Sequence, residues 1–317
     1  AGTTNAMTTA ATDNMTADEQ RAGRSLWSDA ARKLRRDPAA MACLAVICLY
    51  AAVAVISPWV LSGWAVSFNY DKINQPPSAN YILGTDGFGR SVMQETLLAA
   101  NTSMTVALMS NVIAVPLGML LGAIAGYYGG WVDDVIVWLF TTLASIPGII
   151  RLIAIKFAFT GKVLFAGTWF AINLDGMAGL YVALGVMSWI GTCRLVRAET
   201  MKIRQLDYCL AARSIGTGKF ATLLRHVMPN VAHIGIINFS LGFQGAITAE
   251  VILSYLGLGV KDAPSWGRMV DAGKMDLVVG RWWELAAAVG ATFIIVLVWN
   301  IFGDRLRDAL DPKLRNA

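Results

Sequence analysis

The chain carries few groups suited to covalent chemistry, and the most suggestive stretch lacks what that chemistry requires. Gly216-Thr217-Gly218-Lys219-Phe220 resembles a phosphate-binding loop, in which backbone N–H groups cradle phosphates and a Ser or Thr holds magnesium. Such a loop needs a glycine where Arg213 stands, a Ser or Thr where Phe220 stands and a strand ahead of it, so nucleotide hydrolysis by this chain is not expected. His226 and His233 lie seven residues apart beside a proline, outside any HExxH pattern, and Cys43, Cys48, Cys193 and Cys209 form no CxxC pair. Neither a metal site nor a disulfide framework is expected, and the thiols read as structural. GxSxG and GxGxxG are both absent.

What remains are ionisable residues inside apolar runs. Glu250 follows the small residues Gly242, Gly245 and Ala246, and Arg151 follows Pro147 and Gly148. A charge in a lipid-like medium is costly and marks either a function or a fixed partner. Glu250 reads equally well as an interhelical hydrogen bond or as a lining group of a conduction path. Arg151 reads as a long side chain that snorkels to an interface.

The elements that hold these residues follow from composition. Of 317 residues, 56% are hydrophobic and 15% charged, with a mean hydropathy of +0.54. Soluble domains carry roughly a quarter charged residues, so a soluble globule could not coat its surface. Apolar runs at 39–61, 103–127, 132–157, 177–193, 231–253 and 284–302 are each near the length of about 20 residues that crosses a bilayer. Six transmembrane helices are expected, in an all-α integral membrane protein.

Basic residues set the orientation, because Lys and Arg are retained on the cytoplasmic side. The N-terminal tail holds six, the 194–230 loop seven and the C-terminal tail four, so 17 of the 26 fall on one side. Both termini are expected to be cytoplasmic. No short apolar signal region precedes the first run, which is expected to serve as an uncleaved anchor. In the second run Gly118, Gly122 and Gly126 recur every four residues and mark a face for close helix packing.

The 194–230 loop is patterned beyond a plain connector. Leu206, Leu210, Arg213 and Ser214 lead to Gly216, after which Phe220, Leu223, Leu224 and Val227 recur at helical spacing before Pro229. The pattern predicts a helix, a sharp glycine turn and a second amphipathic helix ended by the proline.

Within this loop, Ala211-Ala212-Arg213-Ser214-Ile215-Gly216, closed by Arg225-His226-Val227-Met228-Pro229-Asn230, resembles the EAA loop of ABC-importer permeases. In detail the chain resembles the smaller permease subunit of the oligopeptide/dipeptide/nickel branch. Leu83-Gly84-Thr85-Asp86 with Gly89-Arg90, Ala125-Gly126-Tyr127-Tyr128-Gly129-Gly130 with Asp133, and Glu250 with Leu253-Ser254-Tyr255-Leu256-Gly257-Leu258-Gly259 and Pro264-Ser265-Trp266-Gly267 agree with that branch. So does the tail, Gly303-Asp304-Arg305-Leu306-Arg307-Asp308 with Leu310-Asp311-Pro312. The likeness covers about residues 80–317. It departs where Leu210 replaces the family's glutamate, Asn101 an arginine, and Trp138 and Thr141 the usual Arg and Asp; the 157–177 loop is also long.

The resemblance implies a non-catalytic permease of a bacterial or archaeal plasma membrane, which pairs with a second homologous permease. It also implies two ATP-binding subunits, which carry the ATP and magnesium, and an external substrate-binding protein. No cofactor on this chain and no nucleic acid are implied. Leu210, Ala211, Ala212, Arg213, Gly216, His226 and Pro229 would couple to the ATPase. Glu250, Ser254, Pro264, Ser265, Trp266 and Gly267 would line the path or gate its outer mouth. Peptide is the expected cargo, with nickel or another small solute as the alternative within the family. A stand-alone secondary transporter is the alternative outside it. The expected organisation is a tail at 1–38, an anchor helix at 39–61, an external segment at 62–102, a five-helix core at 103–303 containing the 194–230 loop, and a tail at 304–317.

Overall fold

A computed structural model describes residues 26–63, 67–168, 171–260 and 263–310. Most of the N-terminal tail, Trp169 and Phe170 of the long loop, Lys261, and Asp311-Pro312 of the tail motif lie outside the described residues.

Helix α1 (Leu26–Arg36) leads directly into α2 (Pro38–Val60). The tail expectation therefore gives way to helix over its last third. Asp37 separates the two and caps α2, its carboxylate accepting from Ala39 N at 2.9 Å, with Pro38 in the first turn where a missing N–H costs nothing. Then follow α3 (Val92–Tyr128), α4 (Gly130–Ser145), α5 (Gly148–Phe159) and a two-stranded hairpin of β1 (Val163–Leu164) and β2 (Ile172–Asn173). The hairpin is antiparallel, with Val163 opposite Asn173. Next come α6 (Met177–Ile203), α7 (Asp207–Ser214), the short α8 (Lys219–Thr222), α9 (Met228–Tyr255), α10 (Trp266–Val278) and α11 (Trp283–Leu310).

Among the described residues five helices are long and apolar enough to cross a membrane, and the bent pair α4 and α5 makes a sixth. The sequence reads 132–157 as one span, but the pair turns through 97°. Pro147 is the cause: it lacks an N–H and pushes Ile146 into an extended conformation, φ −87° and ψ 129°.

Three other helices outrun their apolar runs. The 37 residues of α3 extend about 55 Å and start well before position 103. The extra turns carry Glu95 and Asn101, too polar to register as a span, and the structure buries or satisfies both: Asn101 Nδ2 donates to the Ala54 carbonyl of α2 at 2.8 Å. Helix α6 continues through the basic residues after Cys193 to Ile203, and α11 through the tail motif to Leu310.

The core is organised on α3 and α6. A Cβ placed at Gly118, Gly122 or Gly126 would lie 2.6, 2.5 or 2.6 Å from the carbonyl oxygens of Trp189, Cys193 and Arg197. Backbone thus rests on backbone over three turns, which only glycine permits. The contacts advance together along both helices, so α3 and α6 run parallel. Two successive long helices can be parallel only if the chain between them returns across the layer, so the bent pair is a crossing. Around this pair, Val92, Met104, Ile247, Trp266 and Trp283 form one cluster, and Tyr127, Val196, Cys209, Leu223 and Val231 another at the opposite end.

A lone glycine in a helix normally gains about 1 kcal/mol on replacement by alanine. Here the sign reverses: Gly122→Ala is expected to destabilise by about 1–3 kcal/mol through overpacking, measured by thermal unfolding in detergent.

Candidate functional site

Two sites grow from the ends of the α3–α6 pair. At the Tyr127 end, Leu206 holds an extended conformation and α7 begins. Its C-terminus is closed by Ile215 N to Ala211 O at 3.1 Å, Gly216 N to Arg213 O at 3.0 Å and Thr217 N to Ala212 O at 3.0 Å. Gly216 sits at φ +85°, the left-handed position that ends helices cheaply only when no Cβ is present. A Cβ there would meet nothing, so the requirement is conformational and not steric.

The inner side of α7, Cys209 and Ala212, is buried, and burial pushes the Cys209 thiol above its ordinary pKa. Leu206, Leu210, Ile215 and Phe220 face outward, with Ile215 84% and Phe220 63% exposed. Leu210, where the resemblance leads one to expect glutamate, belongs to this exposed apolar face.

Tyr127 ties α7 to the helix pair. Arg213 Nε donates to the Tyr127 hydroxyl at 3.4 Å, and its guanidinium lies 5.0 Å from the ring centre. Arg204 donates to the carbonyls of Gly126 at 3.0 Å and Tyr127 at 3.4 Å, covering the exposed negative end of α3. Arg197 pairs with Asp133 of α4 at 2.5 and 2.6 Å. Tyr127, Arg204, Arg213, Gly216 and Lys219 border a cleft of about 760 Å³.

The second half of the loop differs from expectation. After α8, residues Leu223–Val227 form a π-helical turn that runs straight into α9. Pro229 does not end a helix: it occupies the first turn of α9, where its missing N–H is harmless. His226 is half-buried, and its backbone carbonyl accepts from Asn230 Nδ2 at 2.6 Å.

At the other end, Glu250 is fully buried. Ser254 Oγ donates to Oε1 at 2.7 Å, and Ser103 Oγ of α3 donates to Oε2 at 3.0 Å. Ser103 Oγ also receives Trp266 N at 3.4 Å, and the Trp266 indole donates to Thr96 O at 3.1 Å. Ser265 caps α10 by accepting from Arg268 N at 3.3 Å, with the half-buried Pro264 just ahead of it. Gly267 packs so closely on α9 that a Cβ would stand 2.5 Å from Cβ of Ser254. Glu250, Ser254, Ser265, Trp266 and Gly267 therefore do converge, as a knot joining α3, α9 and α10. Trp283 extends it by donating to Thr85 O at 3.0 Å, in a loop folded around the Asp86–Arg90 ion pair at 2.7 Å.

Arg151 has a structural tie: its Nη1 donates to the Leu143 carbonyl and bridges the α4–α5 bend. Sequence reasoning missed Tyr127, Arg204 and Ser103 as partners, and missed Lys156, buried under the carbonyls of Leu174, Asp175 and Gly176 at 3.3, 3.0 and 3.4 Å. Tyr127 was within reach, since it closes the glycine series; the others depend on contacts between distant segments.

Five apolar helices and a bent pair among the described residues, with one helix presented at the end of a packed pair and one buried polar knot at the other, make this a multi-pass membrane protein. The model for binding-protein-dependent transport system inner membrane components matches residues 118–316, and that for the N-terminal transmembrane domain of oligopeptide transport permease C matches residues 25–77. The chain is 32% identical over 295 residues to the glutathione transport system permease protein GsiD of Pectobacterium atrosepticum, covering 92% of this chain and 93% of that one. It is 33% identical over 293 residues to the dipeptide transport system permease protein DppC of Bacillus subtilis, covering 92% and 87%. The chain belongs to the binding-protein-dependent permease family, in the branch of oligopeptide/dipeptide/nickel ABC importers.

Glu250→Leu leaves the Ser103 and Ser254 hydroxyls without an acceptor and is expected to cost about 1–3 kcal/mol of stability. Glu250→Gln keeps an acceptor and should cost less than half as much. Thermal unfolding in detergent orders the two, and equal losses contradict the hydrogen-bonded knot.

Proposed function

We propose that this chain is one membrane-spanning half of an ATP-driven importer for di- and oligopeptides, taking its cargo from an external binding protein. Its relatives are named for glutathione and dipeptide transport, which supports a short peptide as the cargo. The chain conducts and does not catalyse. ATP and magnesium belong to two ATP-binding subunits, and a second homologous permease completes the path. Both termini lie in the cytoplasm of a bacterial or archaeal cell, in keeping with the basic tails and loop.

The exposed apolar surface formed by α7, the turn after it and α8 is the observation that carries the reading. Leu210, Ile215 and Phe220 project at the end where Arg204, Arg213 and Lys219 gather, too basic a surface to lie within the bilayer core. An apolar helix face there fits a groove on a soluble partner. In this reading Ala211, Ala212, Arg213, Gly216, His226 and Pro229 shape and hold the docking loop, and Leu210 contacts the ATPase by apolar packing where relatives of the EAA type offer a charge. Closure of the ATPases pushes α7, and Tyr127, Arg204 and the glycine contacts pass the push to α3 and α6 as a rigid body. Glu250, Ser254, Pro264, Ser265, Trp266 and Gly267 hold α10 in place at the outer mouth.

Reconstituted with its partner permease, ATPases and receptor, the complex should take up a labelled tripeptide. Ile215→Asp and Gly216→Leu should each cut uptake at least about tenfold while both permeases still copurify, a loss of about 1.4 kcal/mol or more in coupling. Normal uptake by Gly216→Leu would sink the docking assignment. Nickel uptake in place of peptide would sink the cargo assignment alone.

A further inference from the structure

Helix α9 has two unlike faces. One carries Val231, Gly235, Ile247 and Glu250, all buried within the chain. At 100° per residue, Ile234, Asn238, Leu241, Gln244, Thr248 and Ile252 fall on the opposite side in a single stripe. From Ile234 to Ile252 the stripe runs about 27 Å, close to the hydrocarbon thickness of about 30 Å.

Two cavities open along it, and between them they follow its whole length. The one nearer the Glu250 end is about 350 Å³ and is bounded by Gln244, Thr248 and Ile252, with Leu152 of α5 and Val296 and Asn300 of α11. The other, also about 350 Å³, is bounded by Ile234, Asn238 and Leu241, with Lys202 at the basic end. Leu241 of one and Gln244 of the other stand one turn apart on α9.

A face that met lipid would have no use for Asn238, Gln244 and Thr248. Two of these are occupied locally: Asn238 Nδ2 donates to Ile234 O at 2.9 Å and Thr248 Oγ1 to Gln244 O at 3.1 Å. Gln244 is different. Its Oε1 is shielded from solvent and has no hydrogen-bond partner among the described residues. A buried amide oxygen in that condition calls for an N–H donor. Asn300 adds a carboxamide able to donate and accept, and the groups bounding the cavity are apolar or uncharged. Uncharged amides with apolar walls suit a main chain whose side chains vary.

We infer that this stripe of α9 is the wall along which cargo crosses, and that the Gln244 side chain, which borders the outer cavity, turns its unpartnered Oε1 to receive a backbone N–H of a passing peptide there. The inference rests on the peptide reading above. It moves the path to the side of α9 opposite Glu250, whose carboxylate is spent inside the chain. The volume lies within the range of small-ligand sites, about 300–1,000 Å³, and holds a short piece of peptide at a time.

The test uses the assembled complex in proteoliposomes, in a Cys48→Ser background, because Cys48 is exposed while Cys43, Cys193 and Cys209 are buried. Thr248→Cys should react with a charged, water-soluble thiol reagent, and a saturating tripeptide with its receptor should slow that reaction at least about fivefold. Val55→Cys, on the exposed face of α2, should stay unreactive in lipid. Gln244→Leu should raise the apparent KM for peptide about three- to tenfold with little change in maximal rate, the worth of one hydrogen bond.

Failure of Thr248→Cys to react makes the stripe a lipid-facing surface and overturns the inference. Crosslinking of Thr248→Cys to the partner permease with no protection by peptide makes it a packing surface and overturns it too. An unchanged KM in Gln244→Leu removes the assigned hydrogen bond. The cargo reading fails separately and earlier, if the unaltered complex takes up no peptide.

Discussion

The rest of the structure depends on backbone contact between two parallel helices. With Gly118, Gly122 and Gly126 set against the carbonyls of Trp189, Cys193 and Arg197, α3 and α6 approach as closely as chains can. Apolar side chains gain little from one another in a solvent as apolar as they are, so close packing takes over the work that water-driven collapse does elsewhere. The contact fixes register as well as distance. It places the ends of α3 and α6 level, so that Arg204 reaches the last carbonyls of α3 and Arg197 reaches Asp133 just beyond.

That levelled end makes the exposed helix possible. Helix α7 is two turns long and would not persist alone. It is held by Cys209 and Ala212 beneath and by Arg213 over the Tyr127 ring, and turned sharply by Gly216. Its apolar outer face is therefore presented on a rigid mount. At the other end the same pair carries a polar knot, in which a carboxylate, two serines and two indoles exchange hydrogen bonds out of reach of solvent. The polar groups of this knot thus serve as ties, whereas Gln244 Oε1 has no hydrogen-bond partner among the described residues.

The sequence showed a good deal of this. Apolar runs revealed the crossings because lipid demands long unbroken apolar helices, and the glycine series revealed the packing face because the spacing of four belongs to one helix. Prolines were harder to read. Pro58 and Pro116 lie inside helices that continue, Pro147 breaks one, and Pro229 starts one. The outcome turns on which neighbouring groups take up the freed carbonyls, as Arg151 does for Leu143. Glu250 stood out as a charge in an apolar run, yet its role could not be read because Ser103 lies 147 residues away. The two faces of α9 were equally hidden, since small and polar residues occur on both. Helix ends were misjudged wherever polar residues such as Asn101 or Arg197 find partners and let the helix continue.

In the proposed importer, α7 and α3 are expected to move as one body when the ATP-binding subunits close. Paired spin labels at Ser214, on α7, and at Leu120, exposed on α3, would measure it in the assembled complex at rest and in an ATP-trapped state. This distance should stay the same within about 2 Å while the distance between Leu120 and a label on the partner permease changes. A shift between Ser214 and Leu120 of about 5 Å, one helical turn, would show α7 sliding past the pair and would contradict it.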